Sequence, residues 1–145
     1  EVMSAESGSV HAVIDSVKVF VLRYDFPLMQ SLEAWRGIQV ASVPDVVCMK
    51  CVAVAQRSEK KDFFDVYEAL KHYGPDQIRD FFVQKYREKE YNCYHILRSF
   101  FFFEDAEDTV APISLNATEW EDVKAYLRSR EEEIFQAFMQ EPDKG

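Results

Sequence analysis

An apolar segment that carries a single lysine, followed at once by a group of charges, constrains this chain more than any other feature. The segment reads PDVVCMKCVAVAQRSEKKDFFDVY over residues 44–67. Apolar residues surround Lys50 on nearly every side of a predicted helix that ends at Arg57. Burying an ammonium group among apolar side chains is costly unless it has a partner or a ligand. The chemistry of the chain is therefore expected in this segment.

Length and composition predict one globular domain. The chain has 145 residues, of which 48% are hydrophobic and 14% aromatic, enough to form a core. Its net charge of −9 argues against non-specific binding to nucleic acid, which needs a basic surface, but leaves room for a local basic pocket. We find neither a signal-peptide pattern nor an apolar run of membrane-spanning length, so a cytoplasmic protein without membrane contact is predicted. The first residue is not Met, which suggests a fragment or a processed chain.

The cysteines do not form a disulfide framework. Cys48 and Cys51 have the spacing of a redox motif or half of a zinc site, but no second Cys or His pair accompanies them, and Cys93 stands alone. Two buried helical thiols are the favoured interpretation, because free cysteine often lies in protein cores. Free thiols fit a reducing compartment.

The predicted fold class is α+β and mostly α, with two or three N-terminal strands followed by a bundle of about five helices. Residues 1–9 are expected to be a disordered tail, residues 10–42 a strand region, residues 43–140 a helical domain, and residues 141–145 a loose tail. Two or three strands are too few for a stable sheet. The sheet edge is therefore expected to border a larger structure or to pair with another chain, with a homodimer as one candidate.

Local patterns place the individual elements. Residues 11–15 and 17–24 read as strands of a hairpin that turns at Asp15–Ser16, and residues 37–42 could pair with them. The predicted helices run from a capping box at Ser42 and Asp45 to Arg57, then over residues 60–73, 75–87 and 92–103, and finally from a second capping box at Thr118 and Glu121 to about residue 140. Phe100 to Phe103 end the fourth helix, either as core contacts or as an exposed interaction patch.

The charged residues admit two interpretations. Lys50 and Arg57 lie seven residues apart, nearly on one helix face, and a short link would bring the next helix with Asp62 and Asp65 alongside. The first interpretation is an ion-pair network that joins the two helices. The second is a phosphate pocket in which Lys is a point charge, Arg a bidentate fork, and the carboxylates orient them or hold Mg²⁺. Spacing alone leaves both open.

A family resemblance appears over the same residues. The stretch GIQVASVPDVVCMKCVAVAQRSEKKDFFDVYEAL, residues 37–70, resembles the C-terminal half of the AbiEii/AbiGii-type toxin nucleotidyltransferases. QKYREKEYNCYHILRSFFFFEDAED and WEDVKAYL extend the resemblance, so that it covers roughly residues 17–130. It implies the C-terminal part of a polymerase-β-like nucleotidyltransferase fold. It also implies a role in a bacterial toxin–antitoxin or phage-defence system, with a nucleoside triphosphate and Mg²⁺ as cofactors and a cognate antitoxin as partner.

The resemblance also assigns residue roles. It implies catalytic roles for Lys50 and Asp65. It implies nucleotide binding by Lys50, Arg57, Lys61 and Asp62. The family's Gly-Ser and Asp-x-Asp motifs have no counterpart in the residues that align, so no metal ligand is assigned. Without them, the chain is expected to contribute a phosphate pocket and to be inactive alone. The alternative is a non-catalytic helical interaction module in which the same charges form a structural network.

Overall fold

The fold was obtained as a computed structural model, which describes residues 2–6, 8–87 and 91–140. Three antiparallel strands form the first sheet, in the order β1 (Val2–Glu6), β2 (Ser9–Ile14), β3 (Val17–Leu22). A second sheet pairs β4 (Glu33–Trp35) with β5 (Ile38–Val40). The helices are α1 (Val43–Arg57), α2 (Lys60–Tyr73), α3 (Pro75–Lys85), α4 (Cys93–Ser99), α5 (Trp120–Ser129) and α6 (Glu131–Met139), with a 3₁₀ turn over Glu104–Ala106. The predicted class, α+β and mostly α, is confirmed.

The first hairpin forms at the predicted turn. Asp15 and Ser16 have φ angles of 48° and 66°, so both central residues adopt the left-handed conformation that a two-residue hairpin turn requires. Ile14 pairs with Val17 directly across the turn. Local turn chemistry therefore determines the register of β2 and β3.

Two predictions for the strand region differ from the structure. Residues 2–6 fall in the segment predicted to be a loose tail, yet they form β1 and pair with β2. That prediction relied on small polar side chains, whereas an antiparallel ladder is held by backbone hydrogen bonds. Residues 38–40 do form a strand, but they pair with residues 33–35 rather than with the first hairpin. Gly37, at φ 84°, allows the tight turn between β4 and β5 that keeps this pairing local.

Helix α1 begins and ends at residues that explain its bounds. The Ser42 hydroxyl accepts a hydrogen bond from the backbone N–H of Asp45 at 3.2 Å, and Pro44 lies in the first turn, where a missing N–H costs nothing. At the other end Ser58 adopts a left-handed conformation and its N–H bonds to the Val54 carbonyl. This sharp turn sends α2 back along α1, which it contacts extensively. The predicted bounds of both helices are confirmed.

The C-terminal prediction of one long helix is wrong. The chain turns at Arg130, where φ is −110° and ψ is 9°, so α5 and α6 are separate helices. Helix α5 packs against α2, whereas α6 packs against α3 and α4. One straight helix could not bury both apolar stripes. The cap of α5 is Glu119, with Asp122 as its reciprocal partner, rather than the predicted Thr118 with Glu121.

The core lies among the helices. Its fully buried side chains come from every helix and include Val54, Phe63, Ile78, Phe82, Leu97, Phe100, Val123, Leu127 and Ile134. The fourth helix ends at Ser99, earlier than predicted, and of the phenylalanines that follow, Phe100 and Phe103 are buried while Phe102 is exposed. None of the helices in the described residues is long and apolar enough to cross a membrane. The predicted loose tail at 141–145 lies outside the described residues.

Candidate functional site

The predicted charge cluster is centred on Asp62. This carboxylate lies in the first turn of α2 and is completely buried, while Arg57 reaches it from the last turn of α1. Arg57 donates two hydrogen bonds, from Nε to Oδ2 at 2.7 Å and from Nη2 to Oδ1 at 2.8 Å. This is the bidentate fork geometry that makes arginine–carboxylate pairs strong. The pair fixes the sharp connection between α1 and α2.

Lys50 lies between two carboxylates. Its Nζ is 3.1 Å from Oδ1 of Asp62 and 2.7 Å from Oδ2 of Asp65. Burial alone would lower the pKa of Lys50, but hydrogen bonds from its ammonium group to Asp65 and Asp62 outweigh it and raise the pKa. Lys50 is therefore charged at neutral pH. The lysine that the sequence singled out does have partners.

Asp62 stays ionised for the same reason. Its burial would raise the pKa of the carboxyl group, but the hydrogen bonds from Arg57 and Lys50 together bring the pKa below its ordinary value. Lys50, Arg57, Asp62 and Asp65 have a formal charge of zero together, and Oε1 of Glu59 also lies 4.0 Å from Nε of Arg57. The structure thus brings together Lys50, Arg57, Asp62 and Asp65, as their spacing predicted.

Lys61, by contrast, is not part of the cluster. Its Nζ pairs with Oε2 of Glu59 at 2.5 Å, and its side chain is half exposed. It lines a shallow groove beside Phe64 and the loop around Ile113. Asp65 lines this groove as well, so Lys61 lies next to the cluster without an ion pair to Asp62 or Asp65.

A cleft of about 430 Å³ opens beside the cluster. Its walls come from the facing sides of α1 and α2: Val43, Val46, Val47, Lys50, Asp65, Glu68, Ala69, His72 and Tyr73. The apolar stripe that surrounds Lys50 in the sequence therefore forms one wall. Lys50 and Asp65 face the cleft, whereas Asp62 lies behind them with 0% of its side chain exposed.

Lys50 has capacity for a further acceptor. An ammonium group carries three N–H donors, and two acceptors are found for Lys50 within the described residues. Its side chain is 26% exposed at the wall of the cleft. The third N–H is therefore available to an acceptor in the cleft. The described residues contain no group of three or more His, Cys, Asp or Glu that could hold a metal ion.

A second buried ion pair was not predicted. Nζ of Lys85, at the end of α3, lies 2.5 Å from Oδ1 of Asp45, and both side chains are completely buried. The Ser42 hydroxyl and the backbone N–H of Met29 also donate to Asp45, at 2.6 and 3.0 Å. Lys85 lies in the segment FFVQKY, whose apolar residues indicate that this lysine could be buried. Its partner, Asp45, is 40 residues away and reads in the sequence as a helix-capping residue.

The buried thiols of α1 were correctly predicted. Cys48 and Cys51 are both 0% exposed, and neither is paired in a disulfide. Burial raises the pKa of Cys48 to about 12, so its reactive thiolate form is scarce at neutral pH. They are core residues of the helix that carries Lys50.

The chain matches the family model described as "Nucleotidyl transferase AbiEii toxin, Type IV TA system" over residues 14–143. The chain belongs to this family.

A curated relative also matches most of this chain. The chain is 32% identical over 124 residues to "Uncharacterized protein aq_aa25" of Aquifex aeolicus (strain VF5), a match that covers 83% of this chain and 55% of that protein. The chain thus spans about half the length of this relative. No solved structure matches the chain significantly.

Proposed function

We propose that this chain forms the nucleotide side of a nucleotidyltransferase site in a bacterial toxin–antitoxin system. Family membership supports the reaction class. The observation that carries the proposal is the position of Lys50, which is held between two carboxylates at the wall of the cleft with donor capacity to spare. The ligand is a nucleoside triphosphate whose phosphate oxygens accept a hydrogen bond from Lys50.

The other residues have distinct tasks in this proposal. Asp65, half exposed at 2.7 Å from Lys50, orients the ammonium group towards the phosphates and takes part in the catalytic step. Arg57 uses Nε and Nη2 on Asp62 and does not line the cleft, but its side chain is 48% exposed, so its remaining donors are open to a phosphate that extends beyond the cleft. Asp62 holds both cations in place. Lys61 approaches the nucleotide only from the adjoining groove, which shares Asp65 and Glu68 with the cleft.

We assign no metal ion to this cluster. Nucleotidyl transfer in this family generally uses a metal with the triphosphate, and two-metal chemistry needs carboxylates held close together. The described residues contain no group of three or more such ligands, and the two neighbouring carboxylates, Asp62 and Asp65, are both paired with Lys50. We therefore propose that the 145-residue chain binds the triphosphate but does not transfer the nucleotide by itself.

Calorimetric titration of the chain with GTP, ATP, CTP and UTP, with and without Mg²⁺, tests the proposal. Lys50→Met should weaken binding about tenfold or more, because a charge-assisted hydrogen bond to phosphate is lost. Lys124→Met is the matched control: Lys124 also lies between two carboxylates, those of Glu107 and Glu121, both at 2.7 Å, but it does not line the cleft. Unchanged affinity in a folded Lys50→Met protein would show that the cluster is only structural.

The alternative proposal is a non-catalytic interaction module, and the exposed sheet favours it. Phe20 and Leu22 on one face of β3 and Val17 and Val21 on the other are each about 60% exposed. A strand with apolar residues on both faces is typical of the interior of a larger sheet. A second copy of the chain, paired through the sheet edge, or a cognate antitoxin is the proposed partner.

Sedimentation velocity separates this alternative from the nucleotide proposal. The interaction module would be supported by a homodimer that dissociates in the Phe20→Lys and Val21→Lys variants. It would also require that the chain does not bind nucleotide. A monomer at all concentrations that does not bind an apolar dye would contradict it. The Lys50→Met variant should leave such a dimer intact.

A further inference from the structure

A second groove, which shares no lining residue with the cleft at Lys50, carries two arginines. It has a volume of about 800 Å³ and lies between the C-terminal end of α1, helix α4 and the junction of α5 with α6. Its lining residues are Ala55, Ser58, His95, Arg98, Ser99, Phe101, Phe102, Asp105, Arg128 and Glu131. Neither the proposed nucleotide site nor the core accounts for it.

The guanidinium groups of this groove make no ion pair within the described residues. Most of the described lysines and arginines contact a carboxylate, but Arg36 and Arg87 also make no ion pair within the described residues. Asp105 and Glu131 line the same groove, but neither lies within ion-pair distance of Arg98 or Arg128. The N–H groups of the two arginines are therefore free to donate to a ligand, in a groove whose two arginines and two carboxylates have a formal charge of zero.

Each guanidinium group instead packs over an aromatic ring. Cζ of Arg128 is 5.1 Å from the centroid of the Phe103 ring, and Cζ of Arg98 is 6.0 Å from that of Tyr94. Stacking engages the face of a guanidinium group and restricts its motion, while its N–H edge remains free to donate. His95 is three residues before Arg98 on α4 and adds an imidazole to the same wall.

We propose that this groove binds the diphosphate group of a small phosphorylated ligand. A planar carboxylate satisfies one guanidinium fork, whereas a diphosphate offers two tetrahedral groups to two forks on different helices. The side chain of Phe102, 47% exposed beside the arginines, provides an apolar surface for the rest of the ligand. The overall negative charge of the protein disfavours a long polyanion and favours a compact one.

Inorganic pyrophosphate is the probe that tests this proposal. Calorimetry with the 145-residue chain at low ionic strength should show one pyrophosphate bound in the Lys50→Met background, where the other cleft is impaired. Arg98→Gln and Arg128→Gln should each weaken that binding about tenfold, because each removes a charge-assisted fork. Succinate, a dicarboxylate, should bind more weakly than pyrophosphate.

Arg36→Gln is the matched control. Arg36 is an exposed arginine that also leans on an aromatic ring, with Cζ 4.8 Å from the centroid of Trp35, but it is not part of the groove. Its substitution should leave pyrophosphate affinity unchanged. An equal loss in Arg36→Gln, or succinate binding as tight as pyrophosphate, would overturn the proposal.

Nuclear magnetic resonance locates the ligand without any substitution. In the wild-type chain, pyrophosphate should shift the Nε–Hε resonances of Arg98 and Arg128 and the ring resonances of His95. Shifts confined to Arg57 and residues around Lys50, or no shift at millimolar pyrophosphate, would show that the groove is not a diphosphate site. The resonances of the two sites are distinct. A negative result for the groove therefore does not contradict the nucleotide proposal at Lys50, and a negative result at Lys50 does not contradict the diphosphate proposal.

Discussion

The carboxylate of Asp45 and the ammonium group of Lys85 form an ion pair 2.5 Å long that is enclosed completely by protein. The pair connects the first turn of α1 to the last turn of α3. It also holds the segment before β4, since Lys85 donates to the Pro27 carbonyl at 3.0 Å and Asp45 accepts from the Met29 N–H. The pair therefore helps to attach the strand region to the helices, together with the hydrogen bond between Tyr24 and Tyr86 and the packing of Phe26 against Tyr86.

Lys85→Met should destabilise the chain strongly. Removing one partner leaves a buried carboxylate without its counter-charge, which typically costs about 3–5 kcal/mol. Urea unfolding followed by circular dichroism measures the loss. Lys61→Met is the control, because its pair with Glu59 is exposed and its loss should cost about 1 kcal/mol or less. The double variant Asp45→Asn/Lys85→Met should regain part of the stability, and the absence of any recovery would contradict this account.

Sequence patterns could predict the elements of this fold better than their long-range pairing. The bounds of α1 and α2 follow from caps and breakers that act over a few residues, such as Ser42 and the Gly74–Pro75 pair. The break at Arg130 could not be read locally, because it depends on which helices α5 and α6 contact. The ion pair of Asp45 with Lys85 could not be predicted either, because it depends on how α1 packs against α3.

The candidate site follows the same division. Lys50, Arg57, Asp62 and Asp65 lie within 16 residues, so helical spacing and one tight turn bring them together. The sequence could not predict that Asp62 is buried while the other three side chains are partly exposed, because this depends on how α2 is rotated against α1. Arg98 and Arg128 belong to different helices and were not recognised, since only their packing places them in one groove.

Asp62→Asn and Asp65→Asn should have different effects on stability. Asp62 is completely buried and accepts hydrogen bonds from Arg57 and Lys50, so its neutralisation leaves both cations poorly compensated and should cost about 2–4 kcal/mol. Asp65 is 50% exposed, and its loss should cost about 1 kcal/mol or less. Urea unfolding of both variants checks the difference. Equal losses would mean that the degree of burial does not distinguish the two carboxylates.

Acid should destabilise the chain through Asp62. Its pKa in the folded protein lies below the ordinary value of 3.8, because the bonds from Arg57 and Lys50 outweigh the opposing effect of burial. Its contribution to stability is therefore fully present above pH 3.8 and is lost as the pH falls through the folded pKa. The free energy of unfolding, measured from neutral pH to below pH 3, should fall less steeply in Asp62→Asn than in the wild type. A residual slope should remain, since the pKa of Asp45 is also lowered. Parallel curves for the two proteins would exclude Asp62 as a source of the pH dependence.

The three cysteines should react at very different rates in the folded chain. Cys48 and Cys51 are 0% exposed, whereas Cys93 is partly accessible at the start of α4. Burial raises the pKa of all three thiols, and raises that of Cys48 to about 12, so the thiolate form is least available in α1. Iodoacetamide labelling followed by peptide mass spectrometry should modify Cys93 first, and all three at similar rates in urea. Cys93→Ser provides the control, because the native protein should then show almost no fast labelling. Rapid modification of Cys48 or Cys51 in the folded chain would show that α1 opens to solvent, and the wall of the cleft at Lys50 would then open with it.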